Sequence, residues 1–372
     1  MPLPPLAKRL QGFEASGIRK VFDLAAKMKD PINLSIGQPD FDVPEALKEI
    51  AISAIREGFN RYTPTQGSAD LLDAIRKHVS RTRGRAPEAV LATSGVSGGL
   101  LLAFMALLDP GDEVVVTDPY FVMYKHLTRL LGALPVFVDT YPDFRLRRDR
   151  LEAAITNRTK LLILNSPANP TGAVLPESDI RMACEVARAR GIRVLSDEIY
   201  DAFSYDGPLA SAFAADPGVI LLGGLSKSAG MPGWRVGYAA GPADVVGEMT
   251  KLQQYTFVCT PSPFQKAAIA ALDAGPPPFL DAYRRKRDLV VEGLRGAIEL
   301  VSPAGAFYAF PKAPWGTATS FVEAAIREKV LVIPGSVFSE RDTHFRISFA
   351  APDDTIRKGC EILKRLAERG GP

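Results

Sequence analysis

Residues 223–235 read Gly-Gly-Leu-Ser-Lys-Ser-Ala-Gly-Met-Pro-Gly-Trp-Arg, set between apolar stretches at 219–222 and 236–240 that suit buried strands. A loop of small residues leaving a strand can aim a lysine amine into a cleft, because nothing bulky shields it. Desolvation there disfavours the ammonium of Lys227 and frees the amine to attack a carbonyl and form a Schiff base. Arg235, on the same loop, offers a planar fork that suits a phosphate. Taken alone, a lysine is most often a solvated surface residue, and Trp234 with Arg235 would serve equally as a packing pair. The chemistry therefore depends on the elements that carry this loop and on what else they bring to it.

At 372 residues the chain is long enough for about two domains. Its hydrophobic content of 47% with interspersed charges of both signs marks a globular protein. A net charge of +3 without a dense basic block gives nucleic-acid binding little electrostatic support. Cys184, Cys259 and Cys360 are few, odd in number and widely spaced, which fits a reducing compartment and argues against a disulfide framework or a zinc site. His78, His126 and His344 lack metal-ligand spacing. The N-terminus has no long apolar core of the signal-peptide kind, and the uncharged run at 93–108 is too short and too glycine-rich to span a bilayer. A cytoplasmic location, with neither membrane nor nucleic-acid partners, is the expectation.

Apolar strand candidates at 89–93, 113–117, 135–138, 160–164, 193–196 and 219–222 alternate with helical patterns, which predicts an α/β fold whose largely parallel sheet is covered on both faces. Helices are also expected at 12–30, 44–58, 69–81 and from 279 to about 300, with a strand at 31–41 interrupted by Gly37 and Pro39. The prolines at 276–278 mark a domain boundary. Ligands of such sheets bind beyond the carboxyl ends of the strands, so candidate residues should follow strands. Ser94-Gly95-Val96-Ser97 follows the first strand and opens a helix, where amides and the helix dipole favour a phosphate. It has neither the spacing of a Walker loop nor the dinucleotide fingerprint, which weighs against a nicotinamide dehydrogenase. Asp118-Pro119-Tyr120 follows the second strand and Asn165 to Gly172 the fourth. Ser196-Asp197-Glu198-Ile199-Tyr200 follows the fifth, and a carboxylate at a buried strand end needs a partner.

Ser226-Lys227 followed by Met231-Pro232-Gly233-Trp234-Arg235-Val236-Gly237-Tyr238 closely resembles the lysine motif of the class I/II aminotransferases, which are fold-type I pyridoxal phosphate enzymes. The other motifs occur in the family's order over nearly the whole chain. The resemblance implies a three-layer αβα large domain plus a smaller α+β domain built from both chain ends. Residues 1–45 would form an N-terminal arm and part of the small domain, 46–278 the cofactor-binding domain, and 279–372 the rest of the small domain. It implies that Lys227 holds pyridoxal 5'-phosphate, Arg235 its phosphate, and Gly95, Val96 and Ser97 a phosphate cup. By the same likeness Tyr120 stacks on the pyridine ring, Asp197 pairs with the ring nitrogen, and Asn169 and Tyr200 serve the phenolic oxygen. Gly37, in Ile-Gly-Gln-Pro-Asp-Phe, would let backbone approach the substrate carboxylate, as only a residue without a side chain can. Arg346, in His-Phe-Arg-Ile-Ser-Phe, would clamp that carboxylate, and Asn169 would also touch substrate. Tyr62 would reach the cofactor phosphate of a second subunit in a homodimer, and residues 16–18 would line part of the pocket.

Leu71-Leu72 stands where relatives usually carry Leu-Arg, and Gly224 where they often have serine or threonine. The activity implied is ping-pong exchange of an amino group between an L-amino acid and a 2-oxo acid, with the freed Lys227 amine moving the α-proton. A carbon–sulfur β-lyase or a decarboxylase would use the same residues, and a ligand-binding regulator of this fold is the reading from another class. Which amino acid and oxo acid are used stays open.

Overall fold

The computed structural model describes residues 3, 5–10, 17, 21, 26–274 and 279–371. Most of the helix expected at 12–30, the pocket segment 16–18 apart from Gly17, and the boundary prolines therefore lie outside the described residues, while residues 26–30 form turns and bends and not helix. Among the described residues twelve strands follow one another: β1 Ile32–Asn33, β2 Ala89–Ser94, β3 Glu113–Asp118, β4 Leu134–Asp139, β5 Thr159–Asn165, β6 Arg193–Asp197, β7 Ile220–Gly224, β8 Val236–Gly241, β9 Tyr308–Ala309, β10 Val330–Leu331, β11 Ile333–Pro334 and β12 Phe345–Ser348.

Strands β2 to β8 form one sheet in the order β2-β8-β7-β6-β5-β3-β4. Every pairing in it is parallel except those of β8, which runs antiparallel between β2 and β7. The link from β7 to β8 holds only the helical turn Leu225–Ser228 and the 3-10 turn Pro232–Trp234. That is too little chain for a parallel crossover, so the strand returns antiparallel. The apolar strand cores, such as Val114, Val115 and Val116 of β3 and Leu161 to Leu164 of β5, are buried. Two apolar clusters cover the two faces of the sheet, which is why these strands read as continuous hydrophobic runs.

A second layer is assembled from segments far apart in the chain. β1 pairs in parallel with β10, and β11, β12 and β9 form a small antiparallel sheet. Only Ile32 and Asn33 of the expected strand at 31–41 are extended in a sheet, and the rest forms the loop around Gly37. The helix expected to run to about 300 is Leu280–Leu294, and it stops just before Gly296, whose φ of 76° ends a helix readily. It packs on the C-terminal helix Asp353–Arg369. Asp40 fastens the Gly37 loop to this layer: its Oδ1 accepts from Tyr283 Oη at 2.6 Å and its Oδ2 pairs with Lys286. No helix among the described residues is long and apolar enough to cross a membrane.

Behind the carboxyl end of β6 sits a buried ion cluster. Arg83, the last residue of the helix Ala69–Arg83, donates to Glu198 Oε2 at 2.7 Å and to Asp201 Oδ2 at 2.6 Å. Ser196 and Ser211 donate to the other Glu198 oxygen. Removing the guanidinium would leave buried carboxylates without a cation. Arg83→Met is expected to cost about 3–5 kcal/mol, read as a fall in the denaturant midpoint. A stability within 1 kcal/mol (on the order of a neutral surface change) would mean the cluster is not holding this strand end.

Candidate active site

The loops at the carboxyl ends of β2, β5, β6 and β7 surround a cavity of about 370 Å³, which β12 and the Gly37 loop close from the second layer. Gly37, Val96, Ser97, Asn169, Asp197, Tyr200, Lys227, Arg235 and Arg346 all line it. Residues separated by up to three hundred positions thus meet where the sheet geometry says they should.

Lys227 sits in the helical turn after β7, and its Nζ donates to the Gly37 carbonyl at 2.7 Å. Burial pushes its pKa down to about 8, helped by the positive charges of Arg346 and Arg235 and opposed by Asp197. The amine also lies 6.0 Å from the ring centres of Tyr200 and Phe307. Such surroundings give it little solvation in the charged state.

Asp197 ends β6 and is buried. Burial raises its pKa to about 6, against the stabilising hydrogen bonds from Tyr124 Oη at 2.7 Å and from the Ile199 amide at 3.2 Å. Asn165, at the end of β5, holds the Asp197 carbonyl through its Nδ2 at 2.9 Å and the Asn169 amide through its Oδ1 at 3.0 Å. Tyr200 shares a 2.9 Å hydroxyl contact with Tyr308, and burial first, then that neighbour, pushes its pKa well above the ordinary tyrosine value.

Arg346 is the largest fully buried side chain among the described residues. It donates to Asn169 Oδ1 at 3.0 Å and to the Ser35 carbonyl at 2.9 Å, while its Nε has no partner among the described residues. The rings of Tyr308 and Phe338 flank the guanidinium at 4.5 and 4.6 Å. A buried cation bonded only to neutral acceptors calls for an anion, and burial accordingly lowers its pKa.

At the other end of the cavity Gly95 begins the helix Gly95–Leu107, with φ 64°, and its amide donates to the Arg235 carbonyl at 3.1 Å. A Cβ at Gly95 would lie 2.6 Å from the Arg235 guanidinium. Arg235 is itself anchored by the carbonyls of Pro232 and Ser94 at 3.0 and 3.1 Å. A helix start beside a fixed guanidinium has the geometry and charge to hold a phosphate. Gly224 belongs to the same close-packed corner, since a Cβ there would come 3.0 Å from the Gly237 Cα.

Gly95 and Gly17 are not among the residues that line the cavity, Gly95 lying next to the lining Val96, and two further sequence expectations fall outside it. Tyr120 is not among the lining residues: its hydroxyl donates to Glu340 at 2.6 Å and its ring stacks on Phe137 at 4.9 Å. Its neighbour Phe121 lines the cavity in its place. Adjacent residues at a strand end point in different directions, so a one-residue error reverses the assignment. Tyr62 is 84% exposed on this chain and lines nothing here. Tyr124, Tyr308, Asn165 and Ser35 line the cavity without having been singled out from the sequence. Only Tyr124 had a usable signal, its placement three residues after Phe121 at a helix start, which puts the two rings on one side.

These observations test the site for pyridoxal phosphate, and its residues fit: an anion cradle at one end, an acceptor-seeking guanidinium at the other, and a desolvated amine and carboxylate between them. Fold and site together define a fold-type I pyridoxal phosphate enzyme. The aminotransferase class I and II family pattern matches residues 29–363. The chain is 37% identical to the probable N-acetyl-LL-diaminopimelate aminotransferase of Bacillus subtilis, over 97% of this chain and 95% of that one. It is 35% identical to aromatic-amino-acid aminotransferase 2 of Thermococcus litoralis, over 97% and 98%. The aspartate aminotransferase of Thermus thermophilus, solved with maleate, superposes with a TM-score of 0.94 at 34% identity, covering 98% of this chain and 100% of that chain. The chain belongs to the class I and II aminotransferases and is a pyridoxal phosphate-dependent aminotransferase acting on amino acid and oxo acid substrates.

The amine of Lys227 should titrate near pH 8 in cofactor-free protein. An amine reacts when neutral, so labelling of Lys227 by an amine reagent, quantified by peptide mass spectrometry, rises through that pH. A midpoint near the ordinary lysine value of about 10.4 would mean that the site is wet.

Proposed function

We propose that this enzyme moves an amino group between an L-amino acid and a 2-oxo acid with the residues of the cavity in the following roles. The observation that carries the reading is Arg346, a buried guanidinium bonded only to neutral acceptors, in the same cavity as a desolvated lysine. When bound, pyridoxal phosphate supplies an aldehyde that takes the amino group and a ring that accepts an electron pair.

Arg235 and the Gly95-Val96-Ser97 helix start hold the phosphate, Asp197 the ring nitrogen, and Asn169 and Tyr200 the phenolic oxygen. Phe121 takes the ring-facing place first given to Tyr120. Arg346 receives the substrate α-carboxylate in bidentate fashion, with Asn169 and the backbone at Gly37 beside it. That grip sets which bond at Cα stands free. Lys227 Nζ removes the α-proton as general base and returns a proton as general acid, a role suited to an amine poised near neutrality.

The active form is proposed to be a homodimer in which Tyr62 of each copy completes the other's phosphate site. The exposure of Tyr62, Tyr255 and Val258 supports this, since these apolar side chains are left available to a second copy. The division at about residues 45 and 278, with the small domain drawn from both chain ends, is supported by the β1–β10 pairing. Three free thiols support a cytoplasmic setting.

Lys227→Ala is expected to abolish amino transfer, and Arg346→Gln to raise KM for amino acids by roughly a hundredfold (about 3 kcal/mol for a lost charged hydrogen-bond pair). Both are read by single-turnover loss of the cofactor's visible band against a panel of amino acids, the panel also naming the donor. Retained cycling in Lys227→Ala would end the reading, and pyruvate with ammonia formed without an acceptor would replace it by a lyase. Mixing inactive Tyr62→Ala and Lys227→Ala proteins should restore activity, because one site of each hybrid carries neither change. No recovery after subunit exchange would remove the shared site.

A further inference from the structure

The carboxylate of Asp197 is held by two donors, neither of which carries a formal charge. Oδ1 accepts from the Ile199 amide at 3.2 Å and Oδ2 from the Tyr124 hydroxyl at 2.7 Å. The first comes with the turn after β6 and would survive any side-chain change. The second comes from a different part of the chain, the helix Val122–Leu130 that starts after β3. Since β5 lies between β3 and β6, Tyr124 reaches across the end of a whole strand to make this bond.

Tyr124 is buried, and its hydroxyl donates to Asp197. Phe121 packs edge-on against its ring at 5.6 Å, and its backbone carbonyl accepts from the Thr128 hydroxyl at 2.7 Å. The phenol is thereby fixed, so the donor is aimed before any ligand enters. A carboxylate oxygen accepts two hydrogen bonds, so each Asp197 oxygen keeps a lone pair for a donor in the cavity. A neutral donor stabilises the anion without supplying a proton strong enough to neutralise it.

We propose that Tyr124 is a positioning residue: its hydroxyl keeps Asp197 ionised and oriented, so that the proton shared with the cofactor's ring nitrogen stays on the nitrogen. The inference rests on the reading that Asp197 faces that nitrogen. Without the hydroxyl the carboxylate competes better for the proton, and the ring accepts electrons less well. A role in packing alone would need only the aromatic ring, which phenylalanine keeps.

The test uses holoenzyme loaded with cofactor labelled with nitrogen-15 in the ring, whose chemical shift reports protonation. In Tyr124→Phe the resonance should move toward that of the unprotonated ring, and kcat should fall roughly tenfold to a hundredfold with KM for the amino donor little changed. Incorporation of 3,5-difluorotyrosine at position 124, a stronger donor of nearly the same size, should shift the resonance the opposite way and keeps the test alive if the phenylalanine variant folds poorly. Asp197→Asn is run beside them. If it moves the resonance while both changes at 124 leave it in place, Tyr124 is only a packing residue and the proposal falls alone. If Asp197→Asn leaves the resonance unmoved, the assignment of Asp197 fails and the proposal fails with it.

Discussion

Three ionisable groups, Asp197, Lys227 and Arg346, share one cavity, and each is largely withdrawn from solvent by the chain packed around it. A buried charge must be matched by dipoles or by another charge, and each of the three is destabilised by the same loss of solvent. The carboxylate is driven up to about 6 and the amine down to about 8, so both approach neutrality from opposite sides. Groups in that range change protonation for little free energy, which is what moving a proton at a carbon requires. The rest of the molecule can be understood as the arrangement that keeps these groups close, dry and individually partnered.

Part of that arrangement is close backbone packing. The antiparallel β8 runs beside the start of β2's following helix so tightly that a Cβ at Gly237 would come within 2.6 Å of the Gly95 carbonyl carbon. This approach puts Arg235 against the helix start at one end of the cavity. It also accounts for Gly224, whose missing side chain is a condition of the same corner. On the far side, Asp40 and its partners Tyr283 and Lys286 hold the Gly37 loop in place, so that its carbonyl meets the lysine amine. Behind the sheet end, Arg83 absorbs the charge of Glu198, next in chain to Asp197, and leaves Asp197 free for the cavity.

The cavity is built almost entirely from strand ends of the large sheet, with the buried guanidinium of Arg346 brought in by β12. Relatives of nearly equal identity bear names that specify different amino donors. A centre that grips only the atoms common to all amino acids is compatible with that spread. In the roles proposed above, Arg346 would read the α-carboxylate and Lys227 the α-carbon, and neither would sense the side chain.

The alternation of apolar runs with helical patterns already determined the mostly parallel sheet, because burial on both faces demands such runs. The glycine-rich lysine loop and the motifs after β2, β5 and β6 were legible for a related reason: each occupies a strand end, and the order of strand ends along the chain is local information. What only the tertiary structure decided is which side chains turn into the cavity. Tyr120 and Phe121 are adjacent and chemically alike, and their assignment depended on the rotation of the chain as it leaves β3. Tyr124 and Tyr308 arrive from a helix and from the second layer, so their partners, Asp197 and Tyr200, are far away in sequence. The proton affinities of Lys227 and Asp197 were equally out of reach, since desolvation is a property of everything packed around a group and of no residue by itself.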